Sequence, residues 1–167
     1  MLAVTGVMLV IDAGLTLAWQ EPFSALLAAR KQSGLDGALV RVEQSFPRPD
    51  PAVGAGERRD VRGVAARYRR SLLTGGALGR IELPTLDRKF VVVEGTDTAS
   101  LRKGPGRYPD TGMPGEGRTV AVAGHRTTYL APFRSVDRLR RRDRIVLRVP
   151  YGQFVLSRRA HPHRRSK

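Results

Sequence analysis

From Gly79 onward the chain consists of short runs of β-favouring residues, and this pattern constrains the fold more than any other feature. The runs are rich in Val and Ile and comprise Ile81–Leu83, Phe90–Val93, Thr119–Ala123, Arg144–Val149 and Phe154–Leu156. Gly- and Pro-rich connections separate them, the longest being Lys103–Gly117. Apolar residues spaced by three in Ala131–Leu139 predict one or two helical turns. Short strands with one small helix predict a mainly β domain, a barrel or a sandwich, whose edge after Leu156 needs a cover.

The N-terminal segment Leu2–Trp19 is apolar apart from Asp12, Thr5 and Thr16. As a helix, a segment of this length spans about 27 Å, close to the roughly 30 Å hydrocarbon thickness of a bilayer. We therefore predict a transmembrane anchor over residues 1–20, although Asp12 is costly near the middle of a membrane. A cleaved signal peptide and a buried core helix are the alternatives. The first lacks a basic flank and a cleavage site, and the second would be apolar on nearly every side.

Between the anchor and the β-rich domain, the sequence predicts a short helix, a tether and a second helix. Glu21–Gln32 has Pro22 in its first turn and an apolar face, which favours a helix. Residues 33–60 are rich in Pro and Gly and lack periodicity, which is typical of a flexible linker. Val61–Leu73 predicts a basic amphipathic helix with Val64, Tyr68 and Leu72 facing the domain. We place the domain over residues 61–156 and a disordered basic tail over residues 157–167.

Charge and cysteine content narrow the possible partners. The chain has 30 Lys and Arg against 15 Asp and Glu, a net charge of +15, which suits nucleic acid, anionic lipid or an acidic cell-wall polymer. The arginines are spread over Arg134–Arg148 and the tail, not gathered in one DNA-reading element, so we do not expect nucleic acid binding. The absence of cysteine excludes disulfides and thiolate metal sites but permits an extracytoplasmic location.

His125 is the ionisable residue that most resembles a catalytic group. It directly follows the apolar run Thr119–Ala123 and the small residue Gly124, so it is placed at a strand end where it can face a cleft. Imidazoles exchange protons near neutral pH, which suits general acid or base chemistry. A structural hydrogen-bonding role is the alternative for a single histidine.

Other familiar chemistries lack their residues in this sequence. Ser135 and Asp137 lie near His125 but within the predicted helical turn, and no Gly-x-Ser-x-Gly elbow is present. His161 and His163 lie in the basic tail, so the histidines make no convincing metal site, and no metal is expected. No phosphate-binding or dinucleotide-binding glycine motif has the required context, so no cofactor is expected.

Several motifs in series resemble one known family. In order they are Glu-Gly-Thr at 94–96, Leu-x-x-Gly-Pro-Gly-x-Tyr-Pro-x-Thr at 101–111, Ala-Val-Ala-Gly-His-Arg-Thr at 121–127 and Pro-Phe-x-x-x-Asp-x-Leu at 132–139. Each is common alone, but the series with this spacing is specific. Residues 79–156 resemble the sortases of Gram-positive bacteria, and most of all the class E type of actinobacteria.

The resemblance implies a membrane-anchored cysteine transpeptidase with a β-barrel and an extracytoplasmic catalytic domain. In such enzymes a thiolate attacks a Leu-Pro-x-Thr-Gly-like sorting signal of a secreted protein, or Leu-Ala-x-Thr-Gly in class E. The thioacyl intermediate then passes to an amine of a peptidoglycan precursor or a pilin. The matching residue is His125, the expected general acid that protonates the leaving amine, flanked by Gly124 and Arg126.

The sequence departs from the family pattern after Leu156. The family's cysteine, its strand, and the next strand with its arginine have no counterpart, and Ser157–Lys167 follows instead. The switch resembles a shifted reading frame or an early end, so we expect an incomplete barrel and an inactive copy. The alternative is a non-catalytic, membrane-tethered basic domain that binds anionic cell-wall polymer or lipid through its arginines.

Overall fold

The computed structural model describes residues 25–46 and 58–157. The predicted anchor at residues 1–20 and residues 158–167 of the predicted tail lie outside the described residues. Within the described ranges, no helix is both long and apolar enough to cross a bilayer.

A six-stranded sheet forms the centre of the domain, and it confirms the mainly β fold class that the sequence predicts. Its strands are β1 (Ala77–Leu83), β2 (Arg88–Glu94), β3 (Gly106–Arg107), β4 (Val122–Ala123), β5 (Arg144–Val149) and β6 (Gly152–Ser157). They lie in the order β4-β3-β2-β1-β5-β6. The order is linear in the described part of the chain, so β4 and β6 form the two ends of a curled, unclosed sheet.

Four of the five predicted runs lie in regular strands. The two departures from the prediction, one shortened strand and one additional strand, both lie in the segment that leads to His125. β5 has the predicted bounds, while β1, β2 and β6 extend slightly beyond theirs. Only Val122–Ala123 of the predicted strand Thr119–Ala123 pairs as a strand. The connection Lys103–Gly117 contains an unpredicted strand, Gly106–Arg107, which pairs in parallel with β2 and antiparallel with β4. A strand of two residues, one of them glycine, is too short to show a periodic pattern, which explains why the sequence did not predict β3.

Residues 25–45 are helical and form α1, so the expected tether is wrong for residues 33–45. Gly34 and Gly37 indicated a break, but the helix continues past both because one of its faces is buried. Ala28 and Leu39 on that face are 1% and 0% exposed. Tertiary burial of an apolar face outweighs the helix-breaking tendency of two glycines.

Gln32 fastens α1 to the edge of β2. Its amide Nε2 donates to the Val91 carbonyl at 3.1 Å and to the Lys103 carbonyl at 2.6 Å, and its Oε1 accepts from the Val91 amide at 2.7 Å. β2 pairs with β3 only at Val93 and Glu94, so the Gln32 amide takes the place of a strand at Val91. A side chain thereby satisfies backbone groups that a longer β3 would otherwise pair.

The predicted basic amphipathic helix is confirmed as α2 (Arg58–Ser71). Ala65 and Tyr68 are buried, and Val64 and Leu72 pack against the same core. The Tyr68 hydroxyl donates to the Leu78 carbonyl at 2.8 Å, and burial raises the pKa of this tyrosine well above its ordinary value. The aromatic ring packs edge-on against Tyr151, which ties α2 to the β5–β6 turn.

Two short helical elements complete the architecture. α3 (Thr98–Leu101) follows β2, and the Asp97 side chain caps it by accepting the Ala99 and Ser100 amides. The predicted helical turn in Ala131–Leu139 is a short 3-10 helix at Val136–Arg138, and Leu139 at its end is buried.

Candidate active site

His125 lies just beyond β4, at one end of the sheet. β4 pairs through Ala123 with Gly106 of β3, and Gly124 separates the strand from the histidine. The ring is half-buried, and its Nδ1 lies 3.2 Å from the Thr128 hydroxyl. Among the described residues, no hydrogen bond involves Nε2. The imidazole is therefore held through one nitrogen while the other has no described protein partner.

Gly124 permits the close packing that brings the segment after His125 back against the strand end. A Cβ at position 124 would lie 2.7 Å from Cδ2 of Phe133, closer than real contacts allow. The Phe133 amide also donates to the His125 carbonyl at 3.1 Å. The Gly-His pair of the sequence motif thus has a steric basis: glycine admits the Phe133 ring, and that contact closes the loop that holds His125.

The loop after His125 has an unusual backbone. Tyr129, Leu130 and Ala131 have φ angles of +50°, +66° and +42°, a left-handed conformation that side chains with a Cβ disfavour. The Tyr129 ring lies on the His125 ring, with centroids 4.9 Å apart. Three consecutive residues in this region form a strained segment directly beside the candidate catalytic group.

Arg88, at the start of β2, holds this strained turn. Its NH2 donates to the carbonyls of Leu130 and Ala131, each at 3.0 Å. The Arg88 guanidinium lies 5.4 Å from the centre of the Phe90 ring, which fixes the side chain along the strand. No sequence pattern points to Arg88, because it is separated from its partners by more than forty residues.

Arg107 organises the connection before β4, and it was likewise missed. Arg107 is 1% exposed and forms a two-point ion pair with Glu94, at 2.9 Å from Nε and 2.6 Å from NH2. Its NH1 donates to the Thr111 carbonyl at 2.7 Å. Thr111 in turn accepts the Ala121 amide through its hydroxyl at 3.3 Å, next to β4. A fully buried arginine cannot be told from a surface arginine in sequence, since its burial depends on a carboxylate thirteen residues away.

The structure does not assemble a serine–histidine–aspartate set. Asp137 pairs with Arg126 at 2.7 Å, and both side chains are more than half exposed. His125 is hydrogen-bonded to Thr128, not to Ser135 or Asp137. Among the described residues, no group of His, Asp or Glu has the arrangement to hold a metal ion, and His161 and His163 lie outside them.

An open cleft of about 390 Å³ adjoins the loop after His125. Its lining residues come from α1, the β1–β2 turn and that loop: Ala25, Leu86, Arg88, Thr127, Leu130, Ala131, Arg134 and Ser135. The walls combine apolar side chains with two guanidinium groups and two hydroxyls. The cleft therefore presents both apolar and polar groups beside the loop that holds His125.

Comparison with known proteins gives a consistent result. The sortase domain family matches residues 81–159. Sortase D of Bacillus subtilis is 30% identical over 146 residues, which cover 87% of this chain and 70% of that protein.

Solved structures give the same relationship. Sortase E of Streptomyces avermitilis is 34% identical with a TM-score of 0.51, covering 55% of this chain and 61% of that one. The SrtF sortase of Corynebacterium diphtheriae is 39% identical with a TM-score of 0.50, covering 52% of this chain and 43% of that one. The chain thus spans less than two thirds of these two solved relatives. The three relatives bear the class letters D, E and F, so likeness alone does not single out a class. The match to the sortase domain and the 30% identity to a relative covered over 70% of its length establish that the chain belongs to the sortase family.

Proposed function

We propose that this chain carries the acid half of a class E-like sortase active site, with His125 as the general acid. The observation that supports the role is the hold on the imidazole: Nδ1 is engaged by Thr128, the ring packs on Tyr129, and Nε2 has no described partner. A leaving amine needs a proton from a donor fixed in this way. The motif series around His125 supports the class E assignment.

The reaction proposed is transpeptidation of a Leu-Pro-x-Thr-Gly-like or Leu-Ala-x-Thr-Gly-like sorting signal. In this reaction a cysteine thiolate, which the 167 residues do not supply, attacks the threonine carbonyl. The bond between the threonine carbonyl and the glycine nitrogen breaks, His125 donates a proton to the departing glycine amine, and a thioester remains. A cell-wall or pilin amine then displaces the sulfur. Sortases are generally membrane-associated or cell-surface enzymes, so we place the domain outside the cell membrane, attached by the predicted anchor.

The 167 residues include no cysteine, so we propose that they do not form this thioester by themselves. The first experiment incubates the purified chain with a fluorescent sorting peptide and an amine acceptor. We expect no transfer above the background without protein. Specific transfer, or peptide covalently bound to the chain, would contradict the proposed inactivity.

A chimera tests the role of His125 separately. The cysteine-bearing and arginine-bearing strands of Streptomyces avermitilis sortase E are joined after Ser157. We expect peptide transfer by the chimera and a loss of about 10²-fold or more on His125→Gln, since general acid catalysis contributes about that factor. The control is Arg148→Gln, at an exposed position of β5, which should leave the rate unchanged. Equal rates for the chimera and its His125→Gln variant would remove the proposed role.

A second candidate function rests on an exposed basic surface between the 3-10 helix and β5. Arg138, Arg140, Arg141, Arg142 and Arg144 are all exposed there. Such a surface fits an anionic cell-wall polymer or lipid headgroups.

Vesicles with anionic lipid and purified wall polymer test this binding over about 50 to 500 mM salt. We expect weaker binding at high salt, and weaker binding when Arg140, Arg141 and Arg142 are replaced by Gln. The matched control removes three charges from α2 by replacing Arg62, Arg67 and Arg70, which are also exposed. Equal losses from both triple variants would show a dependence on net charge alone and would exclude a specific surface.

A further inference from the structure

We infer that Arg88 is a positioning residue for His125, acting across the loop that joins them. That this positioning matters for catalysis rests on the proposed role of His125 as the general acid. The contacts themselves stand without it, since they join Arg88 to the strained turn and the strained turn to the imidazole.

The turn needs an external restraint. Tyr129, Leu130 and Ala131 all have positive φ, and none of them is glycine, so the isolated loop disfavours this backbone. Two restraints are local: the Ala131 amide donates to the Thr128 carbonyl at 2.8 Å, and the Arg134 amide donates to the Ala131 carbonyl at 3.0 Å. The third is remote: Arg88 binds two successive carbonyls of the turn with one nitrogen.

Arg88 is suited to this task by its own anchoring. It pairs with Leu83 at the turn end of the β1–β2 ladder of six residue pairs, so backbone pairing holds its main chain in the sheet. The Phe90 ring under its guanidinium restricts the side chain further. Hydrogen bonds from a charged, planar donor are stronger than those between neutral groups. Arg88 therefore fixes the position of the turn relative to β2, and not only relative to the short strand β4 that precedes the turn.

The turn transmits its conformation to His125 through Tyr129. That ring lies between two groups: His125 at 4.9 Å between centroids, and the Arg102 guanidinium at 5.9 Å from the ring centre. If the backbone at 129–131 relaxed to negative φ, the Tyr129 side chain would leave in another direction. His125 would then lose its packing partner and keep only the Thr128 hydrogen bond.

Nuclear magnetic resonance of the histidine ring, recorded on the 167-residue chain, tests the inference. The His125 signal is assigned by its disappearance in His125→Gln. We expect the wild type to show nuclear Overhauser effects between the His125 and Tyr129 rings, and Arg88→Gln to lose them while its amide spectrum stays dispersed. Arg88→Lys, which keeps the charge but can approach only one carbonyl well, should retain weakened effects.

Arg148→Gln is the matched control, because Arg148 is an exposed arginine of the same sheet bonded to Glu82 and Gln153. It should keep the wild-type signals. Unchanged His125–Tyr129 contacts in a folded Arg88→Gln variant would overturn the inference. Global unfolding of both Arg88 variants would also overturn it, since Arg88 would then be a general stability residue. Either result is independent of the chimera assay, in which only the proton-donor role of His125 is at stake.

Discussion

The two halves of the sheet hold their strands by different means. β1, β2, β5 and β6 pair over long registers, six residue pairs each for β1–β2 and β5–β6, so backbone hydrogen bonds fix them. β3 and β4 share only two residue pairs. Besides a few backbone hydrogen bonds, side chains that bind backbone groups hold the segments flanking them: Gln32, Arg88 and Arg107. The candidate catalytic residue therefore lies in the half whose geometry a single substitution can change.

This contrast has a physical basis. Ladders of backbone hydrogen bonds tolerate most side chains, because every residue supplies the same donor and acceptor. A loop held by one guanidinium or one amide depends on that residue alone. We therefore expect substitutions at the three side chains to exceed the effect of exposed substitutions in the regular half.

The largest effect is expected for Arg107→Met. The change leaves the Glu94 carboxylate buried without its partner, and removes the donor to the Thr111 carbonyl. Breaking a buried ion pair from one side costs about 3–5 kcal/mol in the free energy of unfolding. Urea denaturation measures it. Arg148→Met breaks an exposed pair with Glu82 and should cost less than about 1 kcal/mol. Similar costs at both sites would refute the contrast between the halves.

Gln32→Leu should have the next largest effect. It leaves the Val91 amide and carbonyl and the Lys103 carbonyl without their described partner, at an expected cost of about 2–3 kcal/mol. The matched control is Gln44→Leu, an exposed position of the same helix, which should change the free energy of unfolding by less than about 0.5 kcal/mol. If the two variants unfold at the same urea concentration, the Gln32 amide does not stabilise the β2 edge.

Gly124→Ala should destabilise the protein by less than the preceding substitutions. A glycine replacement in α1, by contrast, should stabilise it. The added Cβ meets the Phe133 ring, so we expect a loss of about 1–3 kcal/mol from overpacking. Gly34→Ala has open space around the new Cβ in a helix and should stabilise by about 0.5–1 kcal/mol. Thermal melts compare the two variants. A stabilising Gly124→Ala would mean that Phe133 moves freely, and that the loop closure beside His125 is loose.

The smallest effect concerns the cap of α3 and depends on pH. The hydrogen bond from the Ser100 hydroxyl, with backbone donors, holds the pKa of Asp97 below its ordinary value. Because the folded pKa is the lower one, the cap stabilises α3 above the unfolded pKa of about 3.9, and this contribution is lost as pH falls through the folded pKa.

Amide exchange of residues 99–101 between about pH 5 and about pH 2 measures this loss. We expect protection to fall with pH in the wild type and to stay nearly constant in Asp97→Asn, because the asparagine amide oxygen can still accept the helix amides but does not titrate. The exposed Asp110→Asn is the control and should follow the wild type. A wild-type profile in Asp97→Asn would show that the carboxylate does not cap the helix.

The part of the sheet with long backbone ladders was also the part that the sequence predicted best. β1, β2, β5 and α2 were predicted from the sequence because their apolar residues recur with a period set by local backbone geometry. The helix at residues 33–45 was not, since its stability comes from Leu39 and Gln32 meeting the sheet. For the candidate site, the motif order singled out His125 and its neighbour Gly124, but neither the contact of Gly124 with Phe133 nor the loop conformation around them.

The sequence by itself determined the family and the regular strands, and it singled out His125 as the candidate imidazole. These depend on residue type and spacing, which local propensity and motif order express directly. Only the tertiary structure decided that Arg107 is buried against Glu94, that Gln32 completes β2, and that Arg88 holds the turn beside His125. Each of these contacts joins residues remote in the chain, and its strength comes from burial and exact placement, neither of which a linear pattern encodes.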